Sequence, residues 1–142
     1  MTLFALLALS VAADAVILQP PLGQYGVTRS TLDLTDTSRT NPFNNANTPR
    51  RLMLSVFEPT TPWKYCSKST EPYMPPLAAS TADQLDSAYS FPDGTFASVE
   101  TTFCHAEGRV KGSNAQIIIF SHGLGSSRLI HSFQAISLAS QG

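Results

Sequence analysis

Phe120-Ser121-His122-Gly123-Leu124-Gly125-Ser126-Ser127-Arg128 directly follows the apolar run Gln116-Ile117-Ile118-Ile119. These residue types suit one kind of chemistry. When a nucleophile attacks an ester carbonyl, the carbonyl oxygen gains negative charge. Backbone N–H groups aimed at that oxygen lower the barrier. Several donors converge on one point only where the backbone turns tightly, and Gly123 and Gly125 open conformations closed to other residues. A helix beginning just after the turn would add the positive end of its dipole. Leu124, between the glycines, is the natural donor, and its side chain could wall an acyl pocket. The same residues describe a plain strand-to-helix turn equally well, and residue types alone leave the two readings level.

Other chemistries fit less well. A dinucleotide or phosphate cradle fails, because Arg128 occupies the third glycine position of G-x-G-x-x-G and no Gly-Lys-Ser/Thr follows. Ser121, Ser126 and Ser127 are nucleophile types, yet none lies in G-x-S-x-G. In serine hydrolases of the α/β type the base histidine comes last in chain order. His122 therefore reads as a structural residue that hydrogen-bonds to fix the turn. His131 reads as a surface or rim residue. Arg128 either pairs with a carboxylate outside this chain or faces solvent.

The turn needs a strand before it and a helix after it. Ala115 to Ser121 reads as a strong buried strand. Arg128 to Ser140 reads as a helix with Leu129, Phe133 and Ile136 on one stripe and Ile130 and Ala139 beside it. Gln141-Gly142 closes it, glycine tolerating left-handed geometry. Upstream, Leu32 and Leu34 alternate with Asp33 and Thr35, the period of a strand with one wet face. The pattern predicts two antiparallel strands joined near Gly26 to Arg29, close to a sheet edge. Thr37 to Pro49 is rich in Asn and Pro and reads as a surface loop. Arg51 to Pro59 is apolar at nearly every position, which predicts a strand covered on both faces and ended by Pro59. Thr60 to Pro76 reads as irregular, its aromatic residues Trp63, Tyr65 and Tyr73 packing as a satellite cluster or lining an entrance. Ser80 or Thr81 caps a short helix to about Ala88, with Asp83 and Gln84 at capping-box positions. Phe96 to Cys104 fits strand or loop alike. Gly108 to Asn114 is a turn.

The chain has 142 residues, enough for one domain with a real core. Hydrophobic residues make up 42%, which excludes a disordered chain. The net charge is −1 and no basic cluster stands out beyond Arg50-Arg51, so neither nucleic acid nor an anionic membrane surface is a predicted partner. Met1 to Ala15 is apolar and holds small-residue cleavage patterns at Val11-Ala12-Ala13 and Ala13-Asp14-Ala15. It reads as a secretory signal peptide, although its start carries no Lys or Arg; a buried N-terminal helix is the other reading. The run falls short of the ~20 residues that span a bilayer, so no stable membrane anchor is predicted. In an oxidising compartment Cys66 and Cys104 would pair; free buried thiols remain the alternative. No CxxC or HxxxH spacing exists, so neither metal nor other cofactor is predicted.

Three stretches together are similar to one family. Phe120-Ser121-His122-Gly123-Leu124-Gly125, the following Arg128-Leu129-Ile130-His131-Ser132, and the end Leu138-Ala139-Ser140-Gln141-Gly142 resemble the platelet-activating factor acetylhydrolases. His131 stands where that family usually has tyrosine. Gly23 to Val27, Asp36 to Arg39, Leu52 to Pro59 and Tyr73 to Pro76 also resemble its secreted fungal-type members. The resemblance implies an α/β-hydrolase fold and calcium-independent release of short acyl groups from the sn-2 position of phospholipids. It implies a Ser-Asp-His triad, and it matches Leu124 to the family's oxyanion-hole leucine.

The reading that results is α/β: residues 16–142 form the N-terminal part of an α/β-hydrolase domain, an incomplete mixed sheet with strand, oxyanion turn and helix. Leu124 supplies the backbone donor, His122, Gly123 and Gly125 support the turn, and Cys66 and Cys104 form a disulfide. No catalytic residue is assigned within this chain, because the nucleophile elbow, acid and base are expected beyond Gly142. The expected protein is extracellular and acts on a phospholipid or other ester. The alternatives are an inactive truncated product, a secreted binding module, or another esterase, lipase or polyesterase on the same scaffold.

Overall fold

The computed structural model describes residues 15–43, 47–86, 91–105 and 116–142. Met1 to Asp14, Ala88 and the Gly108 to Asn114 turn lie outside the described residues. The described elements are β1 (Val16–Ile17), β2 (Tyr25–Thr40), β3 (Pro49–Pro62), β4 (Lys68–Pro72), α1 (Pro76–Asp86), β5 (Val99–Cys104) and α2 (Ser132–Ala139). They make a mixed α/β arrangement of two sheets. One is a three-stranded sheet in the order β1-β5-β4, with β1 parallel and β4 antiparallel to β5. The other is the antiparallel ribbon β2-β3.

The ribbon corrects two expectations. Instead of two short strands joined near Gly26 to Arg29, β2 runs through those residues to Thr40 and takes in the start of the expected surface loop. Its partner is β3, with Leu32 opposite Leu54 and Leu34 opposite Leu52. Apolar cross-strand pairs of this kind hold register, so the Leu32/Leu34 alternation finds its match in β3. Likewise β3 continues past Pro59 to Pro62. A two-stranded ribbon leaves one edge of each strand unpaired, and there a proline's missing N–H costs nothing. Nor is β3 covered on both faces: Leu52, Met53 and Leu54 are all exposed.

The region from Phe96 to Cys104 resolves as β5, the central strand of the mixed sheet. Within the stretch read as irregular, Lys68–Pro72 becomes β4, pairing Lys68 with Cys104 and Pro72 with Glu100. At the head of this pair Cys66 and Cys104 are disulfide-bonded, with Cα atoms 5.6 Å apart. Gly26 lies so close that a Cβ there would fall 2.1 Å from the Cys104 sulfur, so only glycine lets β2 pass the bridge. Helix α1 starts at Pro76, earlier than expected. Proline suits the first helical position because its missing N–H would be unpaired there anyway. Ser80 and Thr81 then lie inside the helix, both hydroxyls donating to the Leu77 carbonyl. Asp83 accepts the Phe96 N–H at 2.7 Å and ties α1 to the approach to β5.

Among the described residues two small clusters form the core. Tyr73, Met74, Ala79 and Leu129 pack between α1 and the turn before α2. Val27, Phe103 and Ile136 pack where the ribbon, β5 and α2 meet. Arg29 of β2 joins ribbon to sheet. Its guanidinium lies 4.5 Å from the centroid of the Phe103 ring and pairs with Glu71 of β4 at 2.8 Å. Such a cation over an aromatic face is attracted by the ring's quadrupole.

Candidate functional site

Gln116 to Gly123 adopts no strand, contrary to the expected Ala115–Ser121 strand; Ala115 itself lies outside the described residues. The reason is pairing. A strand's N–H and C=O groups need a neighbouring ladder, and among the described residues no strand runs beside this segment. Its side chains stay exposed, with Ile117 and Ile119 each 91% accessible.

The turn that follows is well formed. The Ser126 N–H donates to the Gly123 carbonyl at 3.3 Å, closing a four-residue turn with Leu124 and Gly125 at its centre. Gly125 has φ +79°, and Leu124 is not in the positive-φ region. That combination defines a type II turn, which requires φ > 0 at its third residue and hence favours glycine. Among the described residues neither the Leu124 nor the Gly125 N–H donates to a protein acceptor. Leu124 is fully exposed. Gly123 and Gly125 have no atom within 4 Å of an added Cβ, so the turn has little packing of its own.

Side-chain bonds hold it instead. His122 Nδ1 lies 3.1 Å from the Gly123 oxygen. In the Nδ1–H tautomer it donates to the carbonyl that closes the turn. Ser126 Oγ lies 3.1 Å from His131 Nε2. Ser127 Oγ accepts the Leu129 N–H at 3.3 Å. Arg128 donates to the Ser55 hydroxyl on β3, a partner within the chain that sequence reasoning did not offer. His131, read as a rim residue, is half-buried between Ser126 and the Phe120 ring, whose centroid is 5.1 Å away.

Helix α2 begins at Ser132, because Arg128 to His131 forms a turn rather than the first helical residues. Ser132 and Ile136 are its buried residues, and Leu129 before it and Ser140 at its end are buried as well. Phe133 and Ile130 fall at the margin of the stripe predicted for them, both being exposed. Two residues that sequence reasoning missed fix the helix. The Tyr73 hydroxyl donates to the Ile130 carbonyl at 2.8 Å and accepts the Phe133 N–H at 3.2 Å, capping the helix from a distant loop. Burial pushes the Tyr73 phenol's pKa up. At the other end Ser140 receives the Gly23 N–H on its hydroxyl and the Tyr25 N–H on its carbonyl, both at 3.0 Å. Gly142 has φ +104° beyond the helix end. No local signal marks Tyr73 or Ser140, whose partners are far away in sequence.

Among the described residues no group of three or more His, Cys, Asp or Glu side chains could hold a metal ion. No helix among them is long and apolar enough to cross a membrane.

The turn and helix lie in the part of the chain that known proteins share. The family model described as platelet-activating factor acetylhydrolase, isoform II, matches residues 95–142. A probable 1-alkyl-2-acetylglycerophosphocholine esterase of Arthroderma benhamiae is 32% identical over 152 residues, covering 97% of this chain. In these residues and along that relative the chain is similar to the platelet-activating factor acetylhydrolases. It spans 38% of that relative's length. No solved structure matches it. Within this acetylhydrolase family match lie the whole of β5, the Gly123–Ser126 turn and α2.

Proposed function

We propose that this chain is the oxyanion-bearing N-terminal portion of a secreted serine esterase with an α/β-hydrolase fold, acting on short sn-2 acyl groups of phospholipids. One observation carries the reading: a type II turn ahead of α2 leaves the Leu124 and Gly125 N–H groups without acceptors among the described residues. An oxyanion could take them at little cost, because no internal bond has to break first. The family match and the relative's printed name support the ester substrate, and the Cys66–Cys104 bond supports an oxidising compartment.

In this reading a serine supplied by sequence following Gly142 attacks the acyl carbon. Its proton passes to a histidine and then to the departing alcohol. The acyl-serine that forms is hydrolysed by water. The Leu124 N–H donates to the oxyanion in both steps.

The test is Leu124→Pro in the complete protein that carries this segment. Proline is favoured at the second position of a type II turn, so the turn survives while its donor disappears. The expected result is a fall in kcat on the order of 10²–10³-fold with folding unchanged. An unchanged kcat removes Leu124 from catalysis. Comparing 2-acetyl phospholipids with long-chain and aryl esters separates an acetylhydrolase from a general esterase, lipase or polyesterase. No turnover of any ester by the wild type would favour a binding module or an inactive product.

A further inference from the structure

The turn at Leu124 is exposed and almost unpacked, yet both of its flanks meet one side chain. The His131 ring stands 5.1 Å from the Phe120 ring, tilted by 57°. Its Nε2 lies 3.1 Å from Ser126 Oγ. Phe120 precedes the turn and Ser126 ends it, so one imidazole on the threshold of α2 bridges the two sides of the loop. The Ser126 N–H in turn closes the type II turn on Gly123. Fixing Ser126 therefore fixes the direction of the Leu124 and Gly125 amides. We infer that His131 is a positioning residue of the oxyanion turn, acting through Ser126 as a clasp on residues 120–126. The inference rests on the esterase reading only for its kinetic consequence; the clasp itself is a statement about the turn.

The bond forms with either tautomer of the ring. A serine hydroxyl can donate to a bare ring nitrogen and accept from a protonated one. Loss of the clasp is expected to act on kcat, because misaimed donors weaken binding of the transition state more than that of the substrate.

The experiment uses the complete protein with four variants. His131→Phe keeps the ring against Phe120 and removes the nitrogen. His131→Gln gives up the ring and places an amide nitrogen near the position of Nε2. Ser126→Ala removes the partner, and the fourth variant combines His131→Phe with Ser126→Ala. The expected result is a kcat lowered about tenfold in His131→Phe and in Ser126→Ala, with KM within about twofold of wild type. The double variant should be no worse than either single one, as expected for groups acting as a unit. His131→Gln should recover most of the loss. An unimpaired His131→Phe, multiplicative losses in the double variant, or a His131→Gln as poor as His131→Phe would overturn the clasp. Amide hydrogen exchange gives a readout independent of turnover. Exchange at the Ser126 amide, whose bond closes the turn, should quicken in His131→Phe and Ser126→Ala but not in His131→Gln. If the wild type hydrolyses no ester, the esterase reading fails while exchange still decides the clasp.

Discussion

Replacing Tyr73 by phenylalanine removes one oxygen and tests how the helix behind the oxyanion turn is held. The hydroxyl serves the Phe133 N–H, which a helix start would otherwise leave unpaired, and the Ile130 carbonyl just ahead of the helix. Each net hydrogen bond contributes about 1 kcal/mol, and a buried group stripped of its partner costs about 1–3 kcal/mol. Ile130 lies at the surface margin, so water can reach its carbonyl in part, whereas Tyr73 is buried. The balance predicts a loss of about 2 kcal/mol. Urea unfolding followed by the fluorescence of Trp63, the single tryptophan, measures this directly. The alkaline limb adds a second test. Burial raises the folded phenol's pKa above its ordinary value of 10.0, so on raising the pH the unfolded chain loses that proton first. The stabilisation is whole below that ordinary value and is lost as pH climbs through the raised one. Tyr73→Phe should lack this part of the alkaline decline. A loss below about 0.5 kcal/mol, well short of one net hydrogen bond, would show that the helix does not depend on the Tyr73 cap. So would an alkaline slope identical to that of wild type.

Three further outcomes follow from single features. Cys66 and Cys104 enclose a loop with a sequence separation of 38; opening it by Cys66→Ala with Cys104→Ala should cost about 4 kcal/mol in denaturant midpoint experiments, the chain-entropy value for that length. The Ser132 hydroxyl is buried and has no hydrogen-bond partner among the described residues, so Ser132→Ala should leave stability unchanged or raise it by about 1 kcal/mol, read from the shift in Tm. Asp36 accepts from the Ser38 hydroxyl and N–H and from Arg39, and these bonds hold its carboxyl at about 2 rather than 3.8. A carbon NMR titration should find it ionised down to that pH, its stabilising effect present above the ordinary value and lost as pH falls through about 2.

Legibility in the sequence tracked the range of the forces involved. The tight turn at Gly123-Leu124-Gly125 could be read because a type II turn is a local matter of which residue tolerates positive φ. Helix α2 could be read from its periodicity, but its first turn could not. Arg128 is drawn to Ser55 on β3, and the Tyr73 hydroxyl caps the helix at Phe133. The strand Ala115–Ser121 was inferred from its isoleucines, and side-chain type cannot supply a neighbouring ladder. The apolar run in β3 suggested cover on both faces. It carries Leu52 and Leu54 opposite leucines of β2, with no described layer above them.

By itself, then, the sequence determined what depends on neighbours along the chain: the tight turn at Gly123-Leu124-Gly125, the place of the final helix, the strand alternation at Leu32 and Leu34, and the family resemblance. Tertiary structure alone decided the rest. It set β5 between β1 and β4, placed Arg29 over Phe103, and brought Gly23 to Ser140 and His131 to Phe120 and Ser126. The physical reason is that such contacts are chosen by which surfaces can be buried together, and that choice is made only when the whole chain competes for the same core.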